Sequence, residues 1–230
     1  MKRALLDALL ADRAAKRSAV VVTRLDSGTQ WLLHPDAGDT APQPALDDAV
    51  TSALARDAGR VAELDGVRFF VQPFQPPLRL ILVGAVHIAQ PLAAMARLAG
   101  FDVTVVDPRS SFASEARFPG VALRAQWPEQ ALRDLALDRR TAILTLTHDP
   151  KLDDPALVAA LRSECFYVGA LGSRKNHAAR LERLREHGFG DAELARVHGP
   201  AGLPIRAVSP AEIAVSMLAE VIQCRRADGE

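Results

Sequence analysis

The chain has 230 residues, 28 basic and 28 acidic side chains, a formal net charge of zero and an apolar fraction of 49%. Balanced charge without a basic run excludes nucleic acid and anionic lipid as electrostatic partners, and no segment reaches membrane-spanning length. Asp7 and Asp12 interrupt the N-terminal apolar runs too often for a signal peptide, so a cytoplasmic location is expected, and two distant cysteines, Cys165 and Cys224, build neither a disulfide scaffold nor a zinc site.

Apolar residues recur at helical spacing from Met1 to Lys16, which predicts a helix. Ser18 to Arg24 and Gln30 to His34 read as strands around Asp26-Ser27-Gly28, a β-hairpin. Pro35 to Pro44 is rich in turn formers; a short helix over Asp47 to Arg56 and a strand over Val67 to Gln72 then complete a small α+β unit. Pro73, Pro76 and Pro77 interrupt regular structure, which places a small α+β N-terminal domain at 1–75 and a second domain at 76–230.

In the second domain strands near 79–83, 102–106, 121–125, 141–147 and 165–170 alternate with helices near 87–98, 128–135, 155–162 and 177–187. Such alternation implies an α/β fold, a Rossmann-like parallel sheet with helices on both faces. Leu80 to Val83 is apolar without alternation, as a strand buried on both faces requires, and Gly84 marks the turn into the helix Ile88 to Leu98. Asp107 follows the next strand, 23 positions after Gly84, where a carboxylate can reach a ribose hydroxyl. Gly84 and Ala89 hold the first and third places of a Gly-x-Gly-x-x-Gly/Ala pattern, but Val86 holds the second, and a β-branched side chain there obstructs a pyrophosphate. The last helix, Pro210 to Arg225, is apolar around much of its circumference, which suggests burial across a dimer contact.

Ligands of open parallel sheets sit at the carboxyl ends of the strands, so four loops carry the candidates. The first holds Gly84 and His87, the second Asp107 and Arg109, the third Thr147-His148-Asp149 with Lys151 and Asp153, the fourth Gly169 to Lys175. A strand order 3-2-1-4-5 would set the first, third and fourth around one crevice. Gly172-Ser173 opening a helix, with Arg174 and Lys175, is a good anion site, although Ser173 serves equally as a plain N-cap. His148-Asp149 is an acid/base or ligand pair only with partners from elsewhere, and Asp153 and Asp154 before Pro155 read first as helix-start residues. His87 either meets a ligand or is simply exposed; Asp107 either binds a ribose or pairs with Arg109. His198 to Pro204 is too rich in turn formers for regular structure and is a loop or a lid. A nucleophile with an adjacent base, a metal-ligand cluster and a Gly-x-x-x-x-Gly-Lys-Ser/Thr loop are all missing.

Gly84-Ala85-Val86-His87-Ile88-Ala89, Asp107-Pro108-Arg109, Thr147-His148-Asp149, Gly169 to Lys175 and Pro210 to Ser216, taken together, resemble the XdhC/CoxI family of accessory proteins for xanthine dehydrogenase and related molybdenum hydroxylases. The resemblance runs from Leu78 to Arg226. It implies a chaperone that holds the molybdenum cofactor, as molybdopterin or its dinucleotide form, protects it during sulfuration and delivers it. A xanthine dehydrogenase-type enzyme and a cofactor sulfurase would be its partners, and a homodimer its state. By the same resemblance Gly84, His87, Asp107, Arg109, His148, Gly172, Ser173 and Lys175 form the binding set, with no catalytic and no metal-ligating residue. The family commonly writes Gly-x-Gly-His in the first loop, where this chain has Val86, and longer members carry an N-terminal Gly-Ser-x-Pro stretch and a cysteine where this chain offers Ser27-Gly28-Thr29. The competing expectation is an NAD(P)-dependent oxidoreductase with His148 or Lys175 as proton donor.

Overall fold

A computed structural model describes residues 2–227 of the chain. It divides into two compact units, one running to Pro76 and taking in Arg226, the other from Pro77 to Arg225.

The first unit contains helix α1 (Arg3–Ala14), strands β1 (Ala19–Arg24) and β2 (Gln30–Leu33), helix α2 (Asp47–Arg56), and strands β3 (Arg60–Leu64) and β4 (Val67–Phe74). The predicted first helix begins at Arg3; Met1 lies outside the described residues. The strands form an antiparallel sheet in the order β2-β1-β4-β3. Alternation splits β1 between two faces: Val20 and Val22 join Phe69, Val71 and the Ala49, Val50 and Ala53 of α2, whereas Ala19 and Val21 meet Leu9 of α1. β3 has no counterpart among the strands expected from the sequence. Its residues are half-buried or exposed, so its apolar signal is weak, yet Asp65 and Gly66 join it to β4 with φ of 51° and 74°, a turn whose twist suits a hairpin. β4 runs through Pro73, past the predicted end at Gln72. Beyond Val71 its only strand partner among the described residues is β1, and such one-sided positions accommodate a residue without an N–H.

The second unit contains β5 (Arg79–Val83), α3 (Ala89–Leu98), β6 (Asp102–Val106), β7 (Ala122–Arg124), α4 (Pro128–Leu135), β8 (Thr141–Thr145), α5 (Pro150–Leu161), β9 (Tyr167–Ala170), α6 (Arg174–Glu186), α7 (Asp191–Leu194), β10 (Val197–His198) and α8 (Pro210–Ala227), whose last residues pass beyond this unit. All six strands are parallel, in the order β10-β9-β8-β5-β6-β7. This is the doubly wound order 3-2-1-4-5-6, one strand longer than expected. The added strand corrects the reading of His198 onward as irregular: His198 pairs with Gly169 before the turn-forming residues begin. Ile81, Val83, Ile143 and Val168 pack toward α4, α5 and α6, and Leu80, Leu82, Val105 and Leu144 toward α3 and α8. Burying each such side chain stabilises the fold by roughly 1.5–3 kcal/mol.

One helix differs from expectation in a way that touches the site. α5 starts at Pro150, five residues before the predicted start, because Asp149 caps it and Pro150 occupies the first position; Pro155 sits inside the helix. On α8, Ala214, Met217 and Val221 are buried, but Val215 and Ile222 face outward, 46% and 39% exposed.

Candidate functional site

The sheet order changes direction between β5 and β8, so the loops after these strands open a crevice at their carboxyl ends. Gly84 ends β5 with φ of 109°, a conformation that side chains disfavour, and a Cβ on it would run into Cγ2 of Thr147. The first and third loops are thus packed backbone to side chain. Val86, in the place of the missing glycine, is half-buried and packs against the core under α3.

Asp107 pairs with Arg109, and the ribose-binding alternative finds its oxygens engaged. The carboxylate is fully buried; Oδ2 accepts from the Ala85 N–H at 2.8 Å and from Arg109 Nη2 at 2.8 Å, while Oδ1 accepts from the Arg109 N–H and Nε, both at 2.9 Å. Burial pushes its pKa up, but the bonds from Arg109 and the Ala85 and Arg109 amides outweigh it, leaving the carboxyl below its ordinary value. Its role is to tie the turn after β5 to the end of β6. The partly exposed Arg109 guanidinium lies 4.4 Å over the Phe112 ring and also feels the charge of Asp149 from the third loop.

The third loop is held by Asp153, whose place before Pro155 marks it in the sequence first as a helix-start residue. Asp153, 1% exposed, accepts from Thr147 Oγ1 at 2.7 Å and from the His148 N–H at 3.0 Å. Nη2 of the buried Arg180 of α6 stands 3.8 Å away and donates to the Leu171 carbonyl at 2.9 Å. Burial raises the Asp153 pKa above its ordinary value and lowers that of Arg180, as expected of charges removed from water. These bonds hold exposed His148 with φ of 63°, a backbone strained for a residue with a side chain. Asp149 is the cap of α5, accepting from the Lys151 N–H at 3.0 Å, and makes no bonded pair with its neighbour His148.

The fourth loop meets the third. A Cβ on Gly172 would lie 3.6 Å from His148 Nδ1, so these two candidates are in contact range. Ser173 is the N-cap of α6, accepting from the Asn176 N–H at 3.2 Å; Arg174 and Lys175 are exposed in its first turn. α5 and α6 therefore carry side-chain caps, whereas α3 begins with none. His87 lies exposed in the turn before α3. His148, Asn176, Arg180 and Arg183 line a small cleft of about 170 Å³ between α5 and α6. A larger groove of about 790 Å³ between α4 and α5, lined by Leu132, Leu137, Pro155 and Val158, includes none of the candidate binding residues.

The segment after β10 is pinned. The Ala201 N–H donates to the Ala170 carbonyl, Gly202 N–H to Glu220 Oε2, and Leu203 N–H to the Ser216 carbonyl, at 3.0, 2.7 and 3.1 Å. The His177 ring of α6 fills the space that a side chain on Gly199 would need.

The structure thus joins Gly84 to Thr147, His148 to Gly172 and Asp107 to Arg109, and leaves His87 and Lys175 exposed after β5 and β9. Asp153, expected at the third loop first as a helix-start residue, and Arg180, which no expectation named, position these loops. Asp153 reads as one of two acidic residues before a proline, and Arg180 as one basic residue of a helix rich in them.

A doubly wound parallel sheet with an altered glycine turn and charged loops at one crevice is a Rossmann-type domain. Residues 80–221 match the model of the XdhC Rossmann domain, and the chain belongs to that family. It is 35% identical over 158 residues to a probable xanthine dehydrogenase subunit of Bacillus subtilis and 32% identical over 152 residues to the molybdenum cofactor insertion chaperone PaoD of Escherichia coli; the matches cover 68% and 66% of this chain. An uncharacterized Escherichia coli protein, YqeB, is 33% identical over 147 residues, 64% of this chain. The matches span 46%, 42% and 27% of those relatives, less than half of each. The fold also resembles that of a crystal structure described as a xanthine dehydrogenase from Bacillus halodurans, with a TM-score of 0.75 at 24% identity, covering 98% of this chain and 67% of the other.

Proposed function

We propose that this protein is an accessory factor that holds the molybdenum cofactor at the crevice beyond β5, β8 and β9 and hands it to a xanthine dehydrogenase-type molybdoenzyme. The observation that carries the reading is the relation to a molybdenum cofactor insertion chaperone, together with the XdhC Rossmann match over residues 80–221, which build the crevice. Its chemistry agrees with a carrier: exposed His87, His148, Arg174 and Lys175 offer donors and positive charge to a phosphate-bearing pterin, and the α6 N-terminus adds its dipole. Gly84 and Gly172 give the backbone its turns, while Asp107, Arg109 and Ser173 brace the loops. A dinucleotide enzyme would need a close backbone approach at Val86 and a free carboxylate at Asp107. Among the described residues no helix is long and apolar enough to cross a membrane; the carrier reading places the protein in the cytoplasm. It further implies a cofactor sulfurase as second partner, and a homodimer to which exposed Val215 and Ile222 of α8 would contribute.

The test is anaerobic purification from cells that make the cofactor, followed by metal analysis and pterin fluorescence. Near-stoichiometric molybdenum with pterin is expected, falling at least tenfold in a His148→Ala/Lys175→Ala variant. Protein that emerges empty yet titrates with NAD(P)H would overturn the reading. Light scattering that finds a monomer at working concentration would remove the dimer.

A further inference from the structure

Away from the crevice, on the α3 and α8 side of the sheet, Cys224, His198 and Glu220 form a chain of polar contacts. The Sγ of Cys224 lies 3.8 Å from Nε2 of His198, and Nδ1 of His198 lies 3.2 Å from Oε1 of Glu220. The other carboxylate oxygen accepts from the Tyr167 hydroxyl at 2.5 Å and from the Gly202 N–H at 2.7 Å. The Tyr167 ring stacks on the His198 imidazole, with centroids 4.7 Å apart, and the backbone of His198 is paired to β9. Two elements and one loop therefore fix the imidazole in place.

The arrangement also sets its tautomer. Burial pushes the Glu220 pKa up, but bonds from His198, Tyr167 and Gly202 outweigh it and keep the group a carboxylate; burial and the Glu220 charge push the Tyr167 pKa up and keep it a phenol. A carboxylate only accepts, so Nδ1 must carry the proton. In the neutral imidazole Nε2 then presents its lone pair to the thiol, the relation of base and nucleophile found wherever a thiol is activated by a histidine. Cys165 shows the contrast. It is 5% exposed, accepts from Ser163 Oγ at 3.1 Å, belongs to the opposite core of the sheet, and burial raises its pKa. Cys224 is only half-buried and the His198 side chain is 34% exposed, so a small reagent can reach the pair.

We propose that Cys224 is an activated thiol, with His198 as its base and Glu220 as the orienting carboxylate, that undergoes exchange with small disulfides. His198 Nε2 takes the thiol proton; the thiolate sulfur attacks one sulfur of the disulfide, whose S–S bond breaks as the Cys224 mixed disulfide forms. The departing half leaves as a thiolate and takes the proton back from the imidazolium. Cys224 is oxidised, the small disulfide is reduced, and excess small thiol reverses the step. Exchange fits better than acyl transfer because it develops no oxyanion, and the nearby Gly202 N–H that might have stabilised one is bound to Glu220.

The experiment uses the reduced full chain and an aromatic disulfide, dithiobis(nitrobenzoate), at pH 7, with mass spectrometry to locate the product. Cys224 is expected to react about tenfold or more faster than free cysteine, with Cys165 unmodified in the native protein. His198→Gln and Glu220→Gln, each checked for native circular dichroism, should slow Cys224 about tenfold. A rate equal to that of free cysteine, or one unchanged in a folded His198→Gln protein, would overturn the proposal. Should either variant fail to fold, thiolate ultraviolet absorbance at pH 7, compared between the parent protein and Cys224→Ser, decides the matter: no difference refutes it.

Discussion

Replacing Gly84 by alanine tests the contact that joins the first and third loops. The backbone at φ of 109° costs a side-chain-bearing residue about 1–3 kcal/mol. The collision of the new Cβ with the Thr147 methyl adds about 1–3 kcal/mol of overpacking. Gly84→Ala should therefore destabilise the protein by about 2–6 kcal/mol, a large fraction of a typical total of roughly 5–15 kcal/mol. The two contributions can be separated. Thr147→Ser removes the methyl but keeps the hydroxyl that donates to Asp153, and the next atoms a Cβ would meet, Thr147 N at 3.5 Å and the Leu146 carbonyl carbon at 3.6 Å, are at ordinary contact distance. The double variant should thus recover the steric part and retain the backbone part, giving a coupling of about 1–3 kcal/mol in a double-mutant cycle by urea denaturation. Strictly additive losses would refute the packing assigned here to the loops.

Asp107→Asn should lower stability at pH 7, and the sign of its pH dependence follows from the depressed carboxyl. A folded pKa below the unfolded one gives stability that is complete above an unfolded value of about 4 and lost as pH falls through the folded one, so the gap between parent and variant should close in acid, read by melting temperature against pH. Asp153→Ala strands buried Arg180 and should cost about 3–5 kcal/mol by chemical denaturation, while Asp153→Asn, which still accepts from the loop, should cost less. Ser173→Ala should cost about 1 kcal/mol through loss of the cap on α6, measured the same way. Val86→Gly distinguishes a degraded dinucleotide turn from a different ligand: a large gain in NAD affinity by calorimetric titration would contradict the carrier reading, which expects none.

The second unit was legible because its strands are short apolar runs without alternation, spaced between helical segments, as a sheet buried on both faces requires. Leu80 to Val83, ended by Gly84, and Ala142 to Leu144 are such runs. β3 is weakly marked in the sequence because Arg60 and Glu63 lie on an exposed edge, although Asp65-Gly66 beside it is a strong hairpin signal. β10 is two residues long and exists through its pairing with Gly169 and the stacking of His198 on Tyr167, which no local pattern encodes. The site divides in the same way. Gly84, His148 and Ser173 announce themselves by residue type at strand ends. The link from Asp153 to Arg180 joins separate helices and is visible only once they are packed.

The pinned segment from Ala201 to Leu203 bears on how a cargo would leave. With its backbone anchored to β9 and α8, this stretch is a fixed rim, and swinging it over the crevice would break three hydrogen bonds at once. On the proposed carrier reading, this segment would not act as the gate for a bound cofactor, and the cofactor's dissociation rate should change when the client enzyme docks.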